Sequence, residues 1–417
     1  MKRFLPLLLL LIQFGLSQKI LIPMDQSQKD HLKAYGTAFW ILGENINVEW
    51  ILNYRGGSFM TDSYPDIVQE CLVRGISYEI IGVEQTLAIY NEVEVNNMDI
   101  ALLEKAPKIA IYSPPNKQPW DDAVTLALTY AEIPYETIWD EEIFNGALGQ
   151  YDWLHLHHED FTGQYGKFYR NYHTATWYIE QQQQFEAVAQ RLGFNSVHAQ
   201  KKALTQMLKN YVSNGGFLFA MCSATDSFDI ALAALKVDIA HSVFDGTPID
   251  KNPQEKMDYT NAMAFDNFKI ITDPMVYEYS DIDYPPSDNP IVRGAEADYF
   301  TLFEFSAKYD PVPTMLTQNH VSVVKGFMGQ TTGYHREKIK KHVLIMGEDA
   351  TTPQVKYLHG NQGQGTFTFL GGHDPEDYQH FVGDPQTDLK LHRNSPGYRL
   401  ILNNVLFPAA RKKERKT

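Results

Sequence analysis

Apolar and polar positions along the chain fall into short segments of two kinds. Lys19 to Ile22, Val48 to Leu52, Tyr78 to Ile81, Lys108 to Tyr112, Tyr135 to Ile138, Trp153 to Leu156 and Phe217 to Met221 have the length and the β-branched or aromatic content of strands. Between them, His31 to Leu42, Ile67 to Arg74, Asp121 to Ala131, Gln181 to Leu192, Ala203 to Val212 and Asp226 to Leu235 show helical apolar spacing. Strands that alternate with helices predict parallel pairing. The pattern breaks near Val93 to Pro107, which reads as a connector, and restarts at Lys108.

The expected architecture is therefore α/β. A smaller N-terminal α/β domain over 18–105 precedes a larger domain over 106–410, built on a doubly wound, mostly parallel sheet. From about 237 to 341, Pro, Asp and Asn become frequent and only short β-like pieces remain, Lys269 to Thr272 and Val321 to Phe327, so this stretch reads as a strand-rich insertion. Regularity returns with His342 to Met346, Gln354 to Leu358, Thr366 to Leu370 and a closing helix at Ser395 to Leu406. A composition of 44% hydrophobic and 13% aromatic residues supports a folded globule throughout.

The first residues carry a different signal. Lys2 and Arg3 precede an apolar run from Phe4 to Ile12, followed by small residues Gly15 and Ser17, the pattern of a secretory leader over 1–17. The run is about half the roughly 20 residues a membrane span needs, so stable membrane insertion is not expected. Export to the periplasm or the outside follows. Removing Lys2 and Arg3 takes the formal charge from −15 to −17, which argues against nucleic acid as a partner and leaves a small molecule or saccharide. The basic run Arg411 to Lys416 reads as a solvated tail.

Three groups of residues could carry chemistry. The first is Cys222, where the apolar strand Phe217 to Met221 meets a helix. Ala220 and Ala224 supply the small flanks that a nucleophile elbow requires, and the helix N-terminus behind the thiol favours a thiolate. Ser223 and Asp226 follow as substrate-binding candidates, although a cysteine closing a core strand also fits plain packing. The second group is Gly371-Gly372-His373-Asp374-Pro375-Glu376, again past a strand end. Here His373 is a candidate base, with Asp374 or Glu376 to orient it. In an open parallel sheet the carboxyl ends of strands border one crevice, so Cys222 and His373 are expected to meet.

The third group follows Trp153: His155 and His157 share a strand face, and His158, Glu159 and Asp160 gather beyond it. Imidazole with carboxylate suits zinc or a similar divalent ion, with His157, His158 and Glu159 as ligands. The glycine- and aromatic-rich stretch from Phe161 to Tyr178, including Tyr165, could stack a sugar or pack against the insertion. Arg55, before Gly56 and Gly57, could hold an anion or sit in a surface turn. Cys71 and Cys222 permit one disulfide, but nothing in the pattern brings their segments together.

On these residues, the span from Lys108 onward resembles the class I glutamine-amidotransferase-like fold and its trehalose-utilisation-like relatives, which carry a similar Gly-Gly-His-Asp stretch before a last helix. The resemblance implies an amidase or hydrolase with Cys222 as nucleophile and His373 as base. Ala220 and Ala224 stand where that family has glycines, and Pro375 where it has glutamate, which implies a divergent member. Over its whole length the chain is also similar to exported bacterial proteins labelled asparagine synthetase B. It lacks the N-terminal nucleophilic cysteine and the pyrophosphate loop that such an activity needs.

Overall fold

The computed structural model describes residues 18–115, 122–284, 299–310, 312, 321–325, 331–377 and 385–411. The leader expected over 1–17, the tail past 411, Asp121 and parts of the insertion lie outside these residues. Among the described residues no helix is long and apolar enough to cross a membrane.

The N-terminal part forms a five-stranded sheet from β1 (Lys19–Ile22), β2 (Val48–Leu52), β3 (Ser58–Asp62), β4 (Glu79–Ile81) and β5 (Asp99–Leu103), in the order β4-β1-β3-β2-β5. All its pairings are antiparallel, which corrects the expected parallel arrangement. The reason is local. Asn53, Arg55, Gly56 and Gly57 all take positive φ and turn the chain straight back from β2 into β3, a strand that the sequence pattern did not reveal. Gly56 has no alternative, since a Cβ there would lie 2.2 Å from the Met24 carbonyl oxygen. The expected connector, Val93 to Pro107, holds the end of a helix, Val83–Val95, and then β5.

The second sheet contains β6 (Ile109–Tyr112), β7 (Glu136–Ile138), β8 (Trp153–Leu156), β9 (Phe217–Met221), β10 (Tyr299–Leu302), β11 (Val323–Lys325), β12 (Tyr334–His335), β13 (Leu344–Glu348), β14 (Gln354–Gln362) and β15 (Gly365–Leu370). Its order is β11-β10-β13-β14-β15-β9-β8-β6-β7, with β12 beside β14. The strands β7, β6, β8, β9 and β15 run parallel. The others pair antiparallel, so the sheet is mixed rather than mostly parallel. The switch occurs at β14 and β15, where Gln362 pairs with Gly365 across a two-residue turn whose Gly363 has φ 62°.

Three helices, His31–Gly43, Ala123–Ala131 and Pro396–Leu406, pack together between the sheets. One apolar cluster runs through them, from Ile20, Trp50 and Phe59 of the small sheet to Ile109, Ile111, Phe217 and Phe219 of the large one. The two expected domains thus share a core. Arg399, fully buried on the last helix, reaches back to the carbonyls of Met24 and Gly56 at 3.3 and 2.7 Å. Alternate residues of the parallel strands, Ala110, Leu154, Leu218 and Ala220, face a second cluster under the helices Thr176–Arg191, Val197–Ser213 and Ser223–Ala233. Helices therefore cover both faces of the parallel strands, as their continuous apolar sequences demand.

Candidate metal centre and thiol elbow

The strand β9 ends at Cys222, whose backbone sits at φ 50° and ψ −141°, and the helix Ser223–Ala233 begins at once. A non-glycine residue in that region is strained, and the surrounding bonds hold it there. The Cys222 amide donates to the Leu370 carbonyl at 3.2 Å, extending the β9–β15 ladder, while its own carbonyl accepts from the Thr225 hydroxyl at 2.7 Å. The helix then docks on the end of β8: the Ser223 hydroxyl donates to the His158 carbonyl at 3.0 Å and the Ser227 hydroxyl to the Glu159 carbonyl at 3.1 Å. Cys222 is 1% exposed, and the rings of Tyr277, Tyr279 and Tyr334 lie close enough to feel its charge. Both cysteines are free thiols. Cys71 lies in the helix Pro65–Arg74, where burial pushes its thiol up to about 12.

Four histidines and one aspartate converge beside this elbow. Ligand atoms of His157, His158 and His373 lie within 4.8 Å of one another, and so do those of Asp122, His155 and His157. The His373 ring stands edge-on to His157 with centroids 4.1 Å apart and lies nearly parallel to His158 at 5.8 Å. These residues come from the carboxyl ends of β8 and β15 and from the N-cap of the helix that follows β6, so parallel pairing gathers them.

Asp122 caps that helix by accepting from the Val124 amide at 2.7 Å. It also accepts from the Thr125 amide at 3.3 Å and faces two imidazoles, His155 Nε2 at 3.3 Å and His157 Nδ1 at 3.4 Å. Burial alone would raise the Asp122 carboxyl, but the charges of His155 and His157 outweigh it and hold the group well below the usual carboxylate range. The Nδ1 of His155 lies 3.0 Å from the Phe219 carbonyl, to which it can only donate, so Nε2 is the nitrogen presented to Asp122. Such an arrangement, with one ring nitrogen tied to a carbonyl or carboxylate and the other turned inward, is how proteins orient metal-binding histidines.

The remaining sequence-derived candidates divide. Glu159 is buried beside the centre, but its carboxylate turns back to accept from the His157 amide at 3.0 Å, and burial pushes the group up to about 7. It belongs to neither close group. Tyr165, at φ 52°, packs against Phe185 and Tyr178 and lines a cavity of about 20 Å³ together with His158, Glu159 and Asp160, room for about one water. Asp374 anchors the turn that carries His373: its oxygens accept from Tyr398 at 2.8 Å, Thr387 at 2.9 Å and the Glu376 amide at 2.8 Å. Glu376 instead pairs with His392 at 3.1 Å and Lys325 at 3.3 Å. Arg55 pairs with Asp25 at 2.7 Å and Glu79 at 2.8 Å within the small antiparallel layer.

Sequence reading did not assign Asp122 or His155 to the centre. Asp122 had a readable signal, an aspartate opening a helix past the first parallel strand. His155 had one too, in its alternation with His157. What was missing was the spatial neighbour of each.

No protein-family model matches the chain, and no curated protein matches it. Among solved structures, the cytoplasmic protein STM3548 from Salmonella typhimurium is 10% identical, with a TM-score of 0.34 over 73% of this chain and 100% of that one. The cytoplasmic protein STM1381 from Salmonella typhimurium LT2 gives 0.33 at 10% identity, over 73% of this chain and 100% of that one. A β-galactosidase from Bacillus circulans sp. alkalophilus is 10% identical with a TM-score of 0.27, covering 66% of this chain and 29% of that enzyme.

Proposed function

We propose that the protein is a metal-dependent hydrolase of a small substrate, with a divalent ion, zinc by donor type, held by His157, His158 and His373. The observation that carries this reading is the mutual approach of those three imidazoles within 4.8 Å at the ends of two parallel strands, with Asp122 set 3.4 Å behind His157. Three histidines around an open fourth position are a hydrolytic zinc set, and the ion would supply an acidified water there. The chain's own residues do the rest. Asp122 fixes the His157 ring through Nδ1, Glu159 fixes the backbone of His157, and Asp374 holds the turn on which His373 rides.

A second reading has its own support. The strained backbone of Cys222 at the head of a helix favours a thiol nucleophile with His373 as its base, the amidase chemistry implied by the amidotransferase-like pattern. The two separate cleanly. Zinc titration of the chelator-stripped protein should give one tight site per chain that His157→Ala abolishes, and hydrolysis of an amide and ester panel should then follow the metal and survive Cys222→Ala. Hydrolysis that ignores chelation and disappears in Cys222→Ala would overturn the metal reading in favour of the thiol.

A further inference from the structure

A cavity of about 360 Å³, open to solvent, lies where the helices His31–Gly43 and Pro396–Leu406 begin, and neither reading of the centre uses it. Lys29 borders it just before the first of these helices, and the segment 390–395 just before the second. The two borders are tied together: the Leu32 amide donates to the Arg393 carbonyl at 3.3 Å, and Asn394 Oδ1 lies 2.8 Å from His31 Nδ1. The segment also holds its own shape, with the Ser395 amide donating to the His392 carbonyl at 3.0 Å and Arg393 Nε to the Lys390 carbonyl at 2.9 Å. Backbone bonds therefore shape the cavity, and its volume is that of a pocket for a small ligand.

Its charge runs against that of the whole protein. The chain carries −15, yet Lys29, Lys390 and Arg393 line this cavity with Glu376 as the one carboxylate beside them. Glu376 is already paired with His392 at 3.1 Å and Lys325 at 3.3 Å, so it leaves the other three cations unmatched. The carboxylates next along the chain turn to other partners: Asp388 accepts from the Lys390 amide at 3.0 Å, and Asp30 from the Tyr130 hydroxyl at 2.7 Å and the Lys33 amide at 3.0 Å. Ser395, buried at the cavity, accepts from the Tyr398 amide at 3.4 Å, and among the described residues no bond uses its hydroxyl proton. The helix that starts at Pro396 adds the partial positive charge of its N-terminus. Unmatched cations, a hydroxyl able to donate and a helix start complement one kind of group, a compact dianion with several acceptor oxygens.

We propose that this cavity binds the phosphate group of a small molecule, with Lys29, Lys390 and Arg393 supplying charge and Ser395 a hydrogen bond. The site is separate from the imidazole centre and does not depend on the chemistry assigned there. It adjoins that centre, because Glu376 belongs to the turn that Asp374 anchors beside His373.

Calorimetric titration of the full chain, stripped of metal by chelator and held at pH 8, tests the assignment with inorganic phosphate and glycerol phosphate as probes and sodium chloride of equal ionic strength as control. Phosphate should bind at one site per chain with a dissociation constant on the order of 1 mM. Tighter binding of glycerol phosphate would assign the site to a phosphate ester, and equal binding to free phosphate. Lys29→Gln combined with Lys390→Gln should weaken both probes about tenfold, while Lys256→Gln, at the exposed pair with Asp250, should leave them unchanged. Both cavity lysines are exposed, so the double variant should melt with the parent. His157→Ala should bind phosphate as the parent does. The absence of a saturable signal, full affinity in the double variant, an equal loss in Lys256→Gln, or loss of binding in His157→Ala would each overturn the proposal, the last by moving the anion to the imidazole centre.

Discussion

Asp226 and Asp229 stand one turn apart on the same buried helix and are both fully enclosed, yet they have opposite surroundings. Asp229 accepts from the amides of Met263, Ala264 and Phe265 at 2.7, 2.7 and 2.8 Å and so pins the 262–265 segment onto the helix. Asp226 has one oxygen engaged and the other without a partner. The first is scaffold, where burial of charge is matched in full. The second is where the fold leaves bonding capacity unused. Lys201 repeats the first pattern elsewhere: its ammonium bonds Tyr112 at 2.6 Å and both oxygens of Asp140 at 3.0 Å, and it sits 4.1 Å over the Trp139 ring. Completeness of pairing, more than burial or charge, separates Asp229 and Lys201 from Asp226.

That contrast is open to direct test. The largest effect should come from Asp229→Ala, which strips three backbone amides of their acceptor and should cost about 4 kcal/mol in urea unfolding. Lys201→Met leaves Asp140 buried without its cation and should cost about 3 kcal/mol, much of it recovered when Asp140→Leu is added. A similar loss in Asp226→Asn would erase the distinction.

Asp226→Asn should behave in the reverse sense, with a pH signature. The folded carboxyl is pushed by burial to about 7 from an ordinary value of 3.8. Between these values the folded protein holds a proton that the unfolded chain has released, so this group's contribution falls as pH rises through the window. The asparagine variant does not titrate there. Its stability should match the parent near pH 4 and exceed it at pH 8, measured as the difference between urea midpoints. The smallest effect should belong to Arg55→Ala: its pairs with Asp25 and Glu79 are half-exposed, so the loss should stay below about 1 kcal/mol with zinc affinity unchanged.

Legibility followed the range of the interactions involved. The helices at 31, 181 and 203, the strands β8, β9 and β15, and the closing helix, which the Ser395 hydroxyl caps by accepting from the Tyr398 amide, were all visible because each depends on residues within a turn or two of one another. The strand β3 was hidden, since Ser58–Asp62 earns its place by pairing with β1 and β2 rather than by strong alternation of its own. Among site residues, Cys222 and the histidines stood out by type and by position at strand ends. Asp122 read as an ordinary helix start until β6 and β8 were placed side by side.

What the sequence determined alone is the set of local commitments: apolar strands with helical stretches between them, an elbow with a cysteine between small residues, and a cluster of histidines past a strand end. Only the tertiary structure decided strand direction, because the sign of a pairing depends on how the chain returns, and a positive-φ turn of a few residues returns it at once. It also decided which imidazoles meet, drawing His373 to His157 across more than two hundred residues, since electrostatic and metal-binding groups are defined by distance in space. Above all it decided which buried carboxylates are matched and which are not, a property no single position in a sequence can carry.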